Sequence, residues 1–260
     1  MGTRTSYRPG TFSWVDLATT DAAAATSFYT SLFGWTTEDN DAGGGAVYTM
    51  CHLAGDTVAG LFEMPDDMRA TGVAPNWTSY VTVTDADAAV ARAEELGGAA
   101  LDRAFDVLDV GRMAVVRDPQ GAVFALWQPR TRIGAERVND VGCLCMNELT
   151  TTDTEAASRF YGGLFGWTTE TVDTGPDGPP MVLAHNDGAL NASMFPAEGG
   201  TPPHWRPCFT VESVEAAVAR VQHLGGRLLA APMVLEDGSV AVVQDPQGAV
   251  FSLFAGRVDP

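Results

Sequence analysis

The sequence predicts an α+β chain made of four βαβββ units, paired into two domains of one kind. Three observations carry this: a long segment that occurs twice, a weaker repeat that divides each copy in two, and hairpin turn signals behind the helices.

The long repeat is plain. Phe28-Tyr29-Thr30-Ser31-Leu32-Phe33-Gly34-Trp35 returns 132 residues on as Phe160-Tyr161-Gly162-Gly163-Leu164-Phe165-Gly166-Trp167. Asp118-Pro119-Gln120-Gly121 returns 127 residues on as Asp245-Pro246-Gln247-Gly248, with Leu96-Gly97-Gly98 and Leu224-Gly225-Gly226 between them. The drift in spacing means that a few loop residues differ while the order of elements is kept. Domains over 10–129 and 139–257 follow, joined near residues 129–139.

Within each copy, a strand-like run leads to a capping residue, an alanine-rich helix and a glycine stop. The runs 14–19, 80–84, 146–151 and 209–211 lead to Asp21, Asp85, Asp153 and Ser213. Their side-chain oxygens can accept from the free amides of a first helical turn. Gly34, Gly97, Gly166 and Gly225 close the four helices. In the last one, Val214, Val218, Val221 and Leu224 recur at helical spacing, so that one face covers a sheet. Runs 111–117 and 122–127 flank Asp118-Pro119-Gln120-Gly121, a hairpin with proline and glycine where a type I turn takes them. Gly43, Gly44 and Gly45 read as a hairpin loop on the rim of the first domain, and the proline-rich stretches 175–180 and 198–203 as loops of the second.

The bulk properties bound the function. A chain of 260 residues, 45% apolar and 18% charged, suits two globular domains. A formal charge of −18, with no acidic block and no lysine, excludes a phosphate backbone or an anionic membrane surface as partner. No apolar run has the length of a membrane span, and residues 1–10 are polar, so a cytoplasmic protein is expected. Cys51, Cys143, Cys145 and Cys208 lack the spacing of a disulfide, zinc or redox motif and read as buried thiols. There is no Gly-x-Ser-x-Gly elbow and no phosphate loop.

The run from Asp21 to Trp35 and the Asp-Pro-Gln-Gly turn before an apolar strand resemble the vicinal oxygen chelate superfamily, which includes glyoxalase I, bleomycin-resistance proteins and extradiol dioxygenases. The resemblance spans about residues 12–254, occurs twice, and looks closest to two-domain actinobacterial members. It implies sheets curled into cups with a ligand or metal on the concave face. At the positions where metal-using members carry ligands, this chain has Trp14, Thr78 and Ala125 in the first domain and Met146, Arg206 and Ser252 in the second. A divalent ion needs about three converging His or carboxylate ligands. Metal-free cups with no cofactor are therefore expected.

Period-two alternation places Asp16 beside Trp14 and Glu148 beside Met146 on the cup face. A buried carboxylate there is either a general base of raised pKa or bonded to a neighbouring strand or an arginine such as Arg206. Trp14, Tyr80, Trp127, Met146 and Phe254 offer flat apolar surface to a ligand, while Phe33, Trp35, Phe165 and Trp167 pack helix against sheet. His223 reads as solvated, His52 and His185 as matching strand residues, and His204 as a ligand only if the register shifts.

The expectation is a monomeric or homodimeric binding protein of bleomycin-resistance type, taking an aromatic or polyketide-like metabolite. The alternative is a lyase, isomerase or oxygenase that uses Asp16 or Glu148 as base, or a metal site of another pattern.

Overall fold

The computed structural model describes residues 2–173, 180–235 and 238–258, so most of the stretch 175–180 lies outside the described residues. The first half runs β1 (Phe12–Thr19), α1 (Ala22–Phe33), β2 (Thr36–Gly43), β3 (Ala46–Leu53), β4 (Asp56–Glu63), α2 (Asp66–Ala70), β5 (Asn76–Thr82), α3 (Ala86–Glu95), β6 (Ala99–Ala100), β7 (Phe105–Val107), β8 (Gly111–Arg117) and β9 (Val123–Pro129). Its strands form one mixed sheet in the order β2-β3-β4-β1-β5-β9-β8-β6, with β7 also on β8. The second half repeats it with β10 (Leu144–Thr151), α4 (Thr154–Phe165), β11 (Thr168–Val172), β12 (Met181–Asn186), β13 (Ala189–Pro196), β14 (His204–Thr210), α5 (Val214–His223), β15 (Arg227–Leu228), β16 (Met233–Leu235), β17 (Gly238–Gln244) and β18 (Val250–Gly256). The order in that sheet is β11-β12-β13-β10-β14-β18-β17-β15, with β16 on β17.

The four caps act as their residue types dictate. Asp21, Asp85, Asp153 and Ser213 each accept from the backbone amide three residues on. Gly34 and Gly166 end α1 and α4 in the left-handed conformation, whereas α3 and α5 end at Leu96 and Leu224, one residue ahead of the glycine.

Three features differ from the sequence-based expectation. Strands β5 and β14 begin at Asn76 and His204, several residues before the runs 80–84 and 209–211, because polar side chains at alternate positions hide a strand whose two faces meet different surroundings. The second strand position of each second unit is split between a two-residue and a three-residue piece on one partner strand. The short helix α2 follows Pro65 without any side-chain cap.

Helices α1, α3, α4 and α5 lie between the two sheets. One core joins α1 to α5 and the other joins α3 to α4, so each helix layer is shared between the domains. Phe33 and Trp35 pack on Phe209, and Trp167 packs on Phe12, each reaching across to the other domain. Trp35 Nε1 donates to Gly142 O and Trp167 Nε1 to Gly10 O, each at 2.8 Å, so each domain grips the chain just ahead of the other's first strand. Tyr29 donates to Asp245 and Tyr161 to Asp118, both at 2.9 Å. The second oxygen of each aspartate accepts three amides, those of the glutamine and glycine of its own turn and of the alanine that follows. The convex faces thus bury the helices, and the concave faces point away from one another.

Candidate functional site

Alternation along β1 sends Val15 and Leu17 into the shared core and Trp14 and Asp16 onto the concave face. The register sets Asp16 opposite Thr78 on β5 and Gly60 on β4, and Trp14 opposite Tyr80, which itself pairs with Ala125 on β9. In the second cup, Glu148 stands opposite Arg206 and Ser193, and Met146 opposite Cys208, which pairs with Ser252. The two cups are therefore equivalent position by position, but their contents differ.

The first cup is filled by its own side chains. Trp14, Tyr80, Trp127 and Met50 are buried in it, and Tyr48, Val110 and Met113 pack against them. Ala135 and Val138 of the connection 130–142, with Tyr7 of the N-terminal segment, close it from above. Asp16 is 3% exposed at its floor. Tyr80 donates to Asp16 Oδ2 at 2.7 Å, Tyr48 donates to the same oxygen at 3.1 Å, and Trp14 Nε1 donates to the Tyr48 hydroxyl at 3.0 Å. Asp16 Oδ1 is buried without a protein partner. Burial pushes the Asp16 carboxyl up to about 6, against the lowering effect of the two tyrosine hydroxyls, and also holds both phenols well above their ordinary range. Gly60 makes room for this arrangement: a Cβ there would fall 2.1 Å from the Tyr48 hydroxyl. The Trp127 ring, whose Nε1 donates to Arg132 O, lies in the same way over Gly111.

The second cup is open. A cavity of about 730 Å³ is lined by Met146, Glu148, Met181, Leu183, Ser193, Phe195, Cys208, Val240 and Phe254. Residues of the N-terminal segment, among them Arg4, Tyr7 and Arg8, form part of its wall. That segment is fastened to the second domain: Asn191 accepts from Phe12 N and donates to Gly10 O, Asn186 donates to Pro9 O, and Arg8 pairs with Asp187. Arg206 Nε donates to Glu148 Oε2 at 2.6 Å, and Ser252 Oγ to the same oxygen at 2.5 Å. The side chains of Glu148 and Arg206 are 7% and 15% exposed, so this is an ion pair largely removed from water. Cys145, also lining the cavity, donates its thiol to Cys208 O.

Four substitutions account for the contrast. The places of Trp14, Tyr48, Tyr80 and Trp127 are taken by Met146, Met181, Cys208 and Phe254. Sequence reasoning placed Asp16 and Glu148, with Arg206 as the carboxylate's neighbour, but missed Tyr48, Met181, Ser193, Phe195 and Cys208. A side-by-side comparison of side-chain volume in the two copies would have found them. Thr78 is half-buried across from Asp16, and Ala125 is fully buried beside Tyr80.

His204 lies on β14 opposite Thr150, its Nδ1 2.9 Å from Pro202 O, and burial lowers its pKa. Two residues from Arg206, it shares the concave side without a shift of register. His52 and His185 each stand by a glutamate, Glu38 and Glu170, and His223 is exposed. Among the described residues, no three His, Cys, Asp or Glu side chains come together in either cup. A divalent ion of the kind the superfamily implies does not fit a donor set of Trp14, Thr78 and Ala125, or of Met146, Arg206 and Ser252. Among the described residues, no helix is long and apolar enough to cross a membrane.

The sequence model of the family described as "Glyoxalase-like domain" matches residues 14–127 and again 143–254. The chain is 41% identical over 255 residues to "Putative glyoxylase CFP32" of Mycobacterium tuberculosis (strain CDC 1551 / Oshkosh), with 97% of both chains covered. It is 36% identical over 262 residues to "Anthracycline biosynthesis protein DauV" of Streptomyces sp. (strain C5), covering 96% of this chain and 94% of that one. Similar solved structures include the Mn(II)-bound glyoxalase from Novosphingobium aromaticivorans (TM-score 0.66, 15% identity, 95% of this chain and 82% of that one). The 2,3-dioxygenase LapB from Pseudomonas sp. KL28 is another (TM-score 0.64, 15% identity, 100% and 94%). At such identities these structures speak for the fold alone.

Proposed function

Because the chain belongs to the glyoxalase-like domain family of the vicinal oxygen chelate superfamily, we propose that it binds an aromatic or polyketide-like metabolite in its second cup, without a metal ion. The single observation that carries this is the contrast between a first cup packed with its own aromatic side chains and a second that leaves about 730 Å³ open over Glu148. That volume lies within the roughly 300–1,000 Å³ of organic-ligand pockets, and its lining is mostly apolar with a few fixed polar groups. The anthracycline biosynthesis relatives support a planar polycyclic ligand. The residues assigned to it are Met146 and Phe254 as walls and Glu148 as polar anchor, held by Arg206 and Ser252. In this reading Trp14, Asp16, Thr78, Tyr80, Ala125 and Trp127 maintain the first cup as a closed support.

One observation favours a second reading, that of an enzyme of lyase, isomerase or oxygenase type: Glu148 opens onto the cavity and is positioned by two donors.

Titration with anthraquinone, followed by fluorescence and by mass analysis of the recovered compound, separates the two. The binding reading expects saturable binding and unchanged quinone; turnover would favour the enzyme. The variant Met146→Trp/Cys208→Tyr, which brings first-cup residues into the second, is expected to lose binding while it stays folded. Failure of both anthraquinone and its 2-hydroxy derivative to bind, or binding to this variant as tight as to the unaltered chain, would sink the proposal.

A further inference from the structure

We infer that the ligand of the second cup is a phenol, its ring stacked on Phe195 and its hydroxyl donating to Glu148, in the place that the Tyr48 side chain takes in the first cup. The inference rests on the reading of the second cup as the aromatic-binding site and adds the functional group that site selects.

The molecule carries its own template. In the first cup the Tyr48 ring lies against Phe62, centroids 6.2 Å apart and planes 18° apart, and its hydroxyl donates to Asp16 at 3.1 Å. Strand register transfers each part. Asp16 faces Gly60 and Tyr48 faces Phe62; Glu148 faces Ser193, and Phe195 follows two residues later on the same strand. Tyr48 pairs with Asn40 on β2 as Met181 pairs with Val172 on β11, so Met181 holds the place of Tyr48. The carboxylate and the stacking ring are thus kept, and both line the cavity. The two phenols that serve the carboxylate in the first cup are not kept, since Met181 and Cys208 stand for Tyr48 and Tyr80.

Two further details bear on the fit. Arg206 and Ser252 both bond to Glu148 Oε2, from strands on the far side of β10 from Phe195. Ser193 replaces Gly60, where a Cβ would meet the Tyr48 hydroxyl at 2.1 Å. The ligand's hydroxyl therefore sits higher than that of Tyr48, with Ser193 Oγ beside it as a second polar neighbour. A carboxylate can only accept from a donor. A phenol satisfies it, whereas an aryl ether or a ketone presents lone pairs to it.

The test compares 2-hydroxyanthraquinone with 2-methoxyanthraquinone by titration of the full chain, at a pH below the phenol's own pKa. The hydroxyl compound is expected to bind at least about tenfold tighter, the value of a hydrogen bond to a charged acceptor. Equal affinity would overturn the inference while leaving the aromatic cup standing, and binding of neither would overturn both. The double variant Met181→Tyr/Ser193→Gly places the protein's own phenol in the cavity and should lower the affinity for 2-hydroxyanthraquinone at least about tenfold. A folded double variant that binds as tightly as the unaltered chain would also overturn the inference. Should that variant not fold, the ligand pair on the unaltered chain decides.

Discussion

At the scale of single residues, the two buried carboxylates show how one register position is used in opposite ways. Asp16 receives two phenol hydroxyls and no counter-charge, and its pKa is raised to about 6. A raised folded-state value means that the stability it contributes is present in acid and is lost as pH rises from the unfolded value near 4 through about 6. Asp16→Asn keeps an acceptor for the tyrosines and removes the charge. Relative to the unaltered chain, the variant should gain about 3 kcal/mol of stability between pH 4 and pH 8, as urea melts at both pH values would read. Glu148 has the arginine that Asp16 lacks. Arg206→Leu leaves its carboxylate buried with the Ser252 hydroxyl but no counter-charge and should cost about 3–5 kcal/mol in the same melts, whereas a loss under 1 kcal/mol would mean that water reaches Glu148 freely. Both acids were legible in the sequence because strand alternation needs only local spacing. Tyr48 was not, because it arrives from β3, two strands away from β1, and only the sheet order brings it over Asp16.

Elements were legible where a local chemical signal marks them. All four caps do what Asp or Ser does at a helix start, and the alanine-rich helices follow them. The early parts of β5 and β14 escaped notice because Trp77 and Trp205 face the shared core while Thr78 and Arg206 face a cup, so no continuous apolar run appears. The Asp-Pro-Gln-Gly hairpins were legible as turns but not as joints between domains, since their tyrosine partners lie 216 and 43 residues away in sequence. Tyr29→Phe leaves Asp245 without its hydroxyl donor and Trp77 Nε1 without its acceptor, and Tyr161→Phe does the same to Asp118 and Trp205. Each change should cost about 2 kcal/mol of unfolding free energy, and by the repeat the two costs should be similar. A loss at only one of them would show that the two joints are not equivalent in solution.

At the scale of the whole molecule, duplication has produced two cups with a shared back. Helices α1 and α4 of the two copies are held by aromatic and hydrogen-bonding contacts from the opposite domain, so the convex faces are committed to each other. The concave faces are free to diverge, and the first has filled while the second has stayed open. The methionines report on this directly: Met146 and Met181 line the open cup, whereas Met50 and Met113 pack in the filled one. The decisive measurement is a methyl NMR titration of the methionine-labelled chain with 2-hydroxyanthraquinone. One equivalent per chain should shift Met146 and Met181 and leave Met50 and Met113 in place. Shifts confined to Met50 and Met113, or saturation at two equivalents with both pairs moving, would contradict the assignment of the second cup as the single binding site.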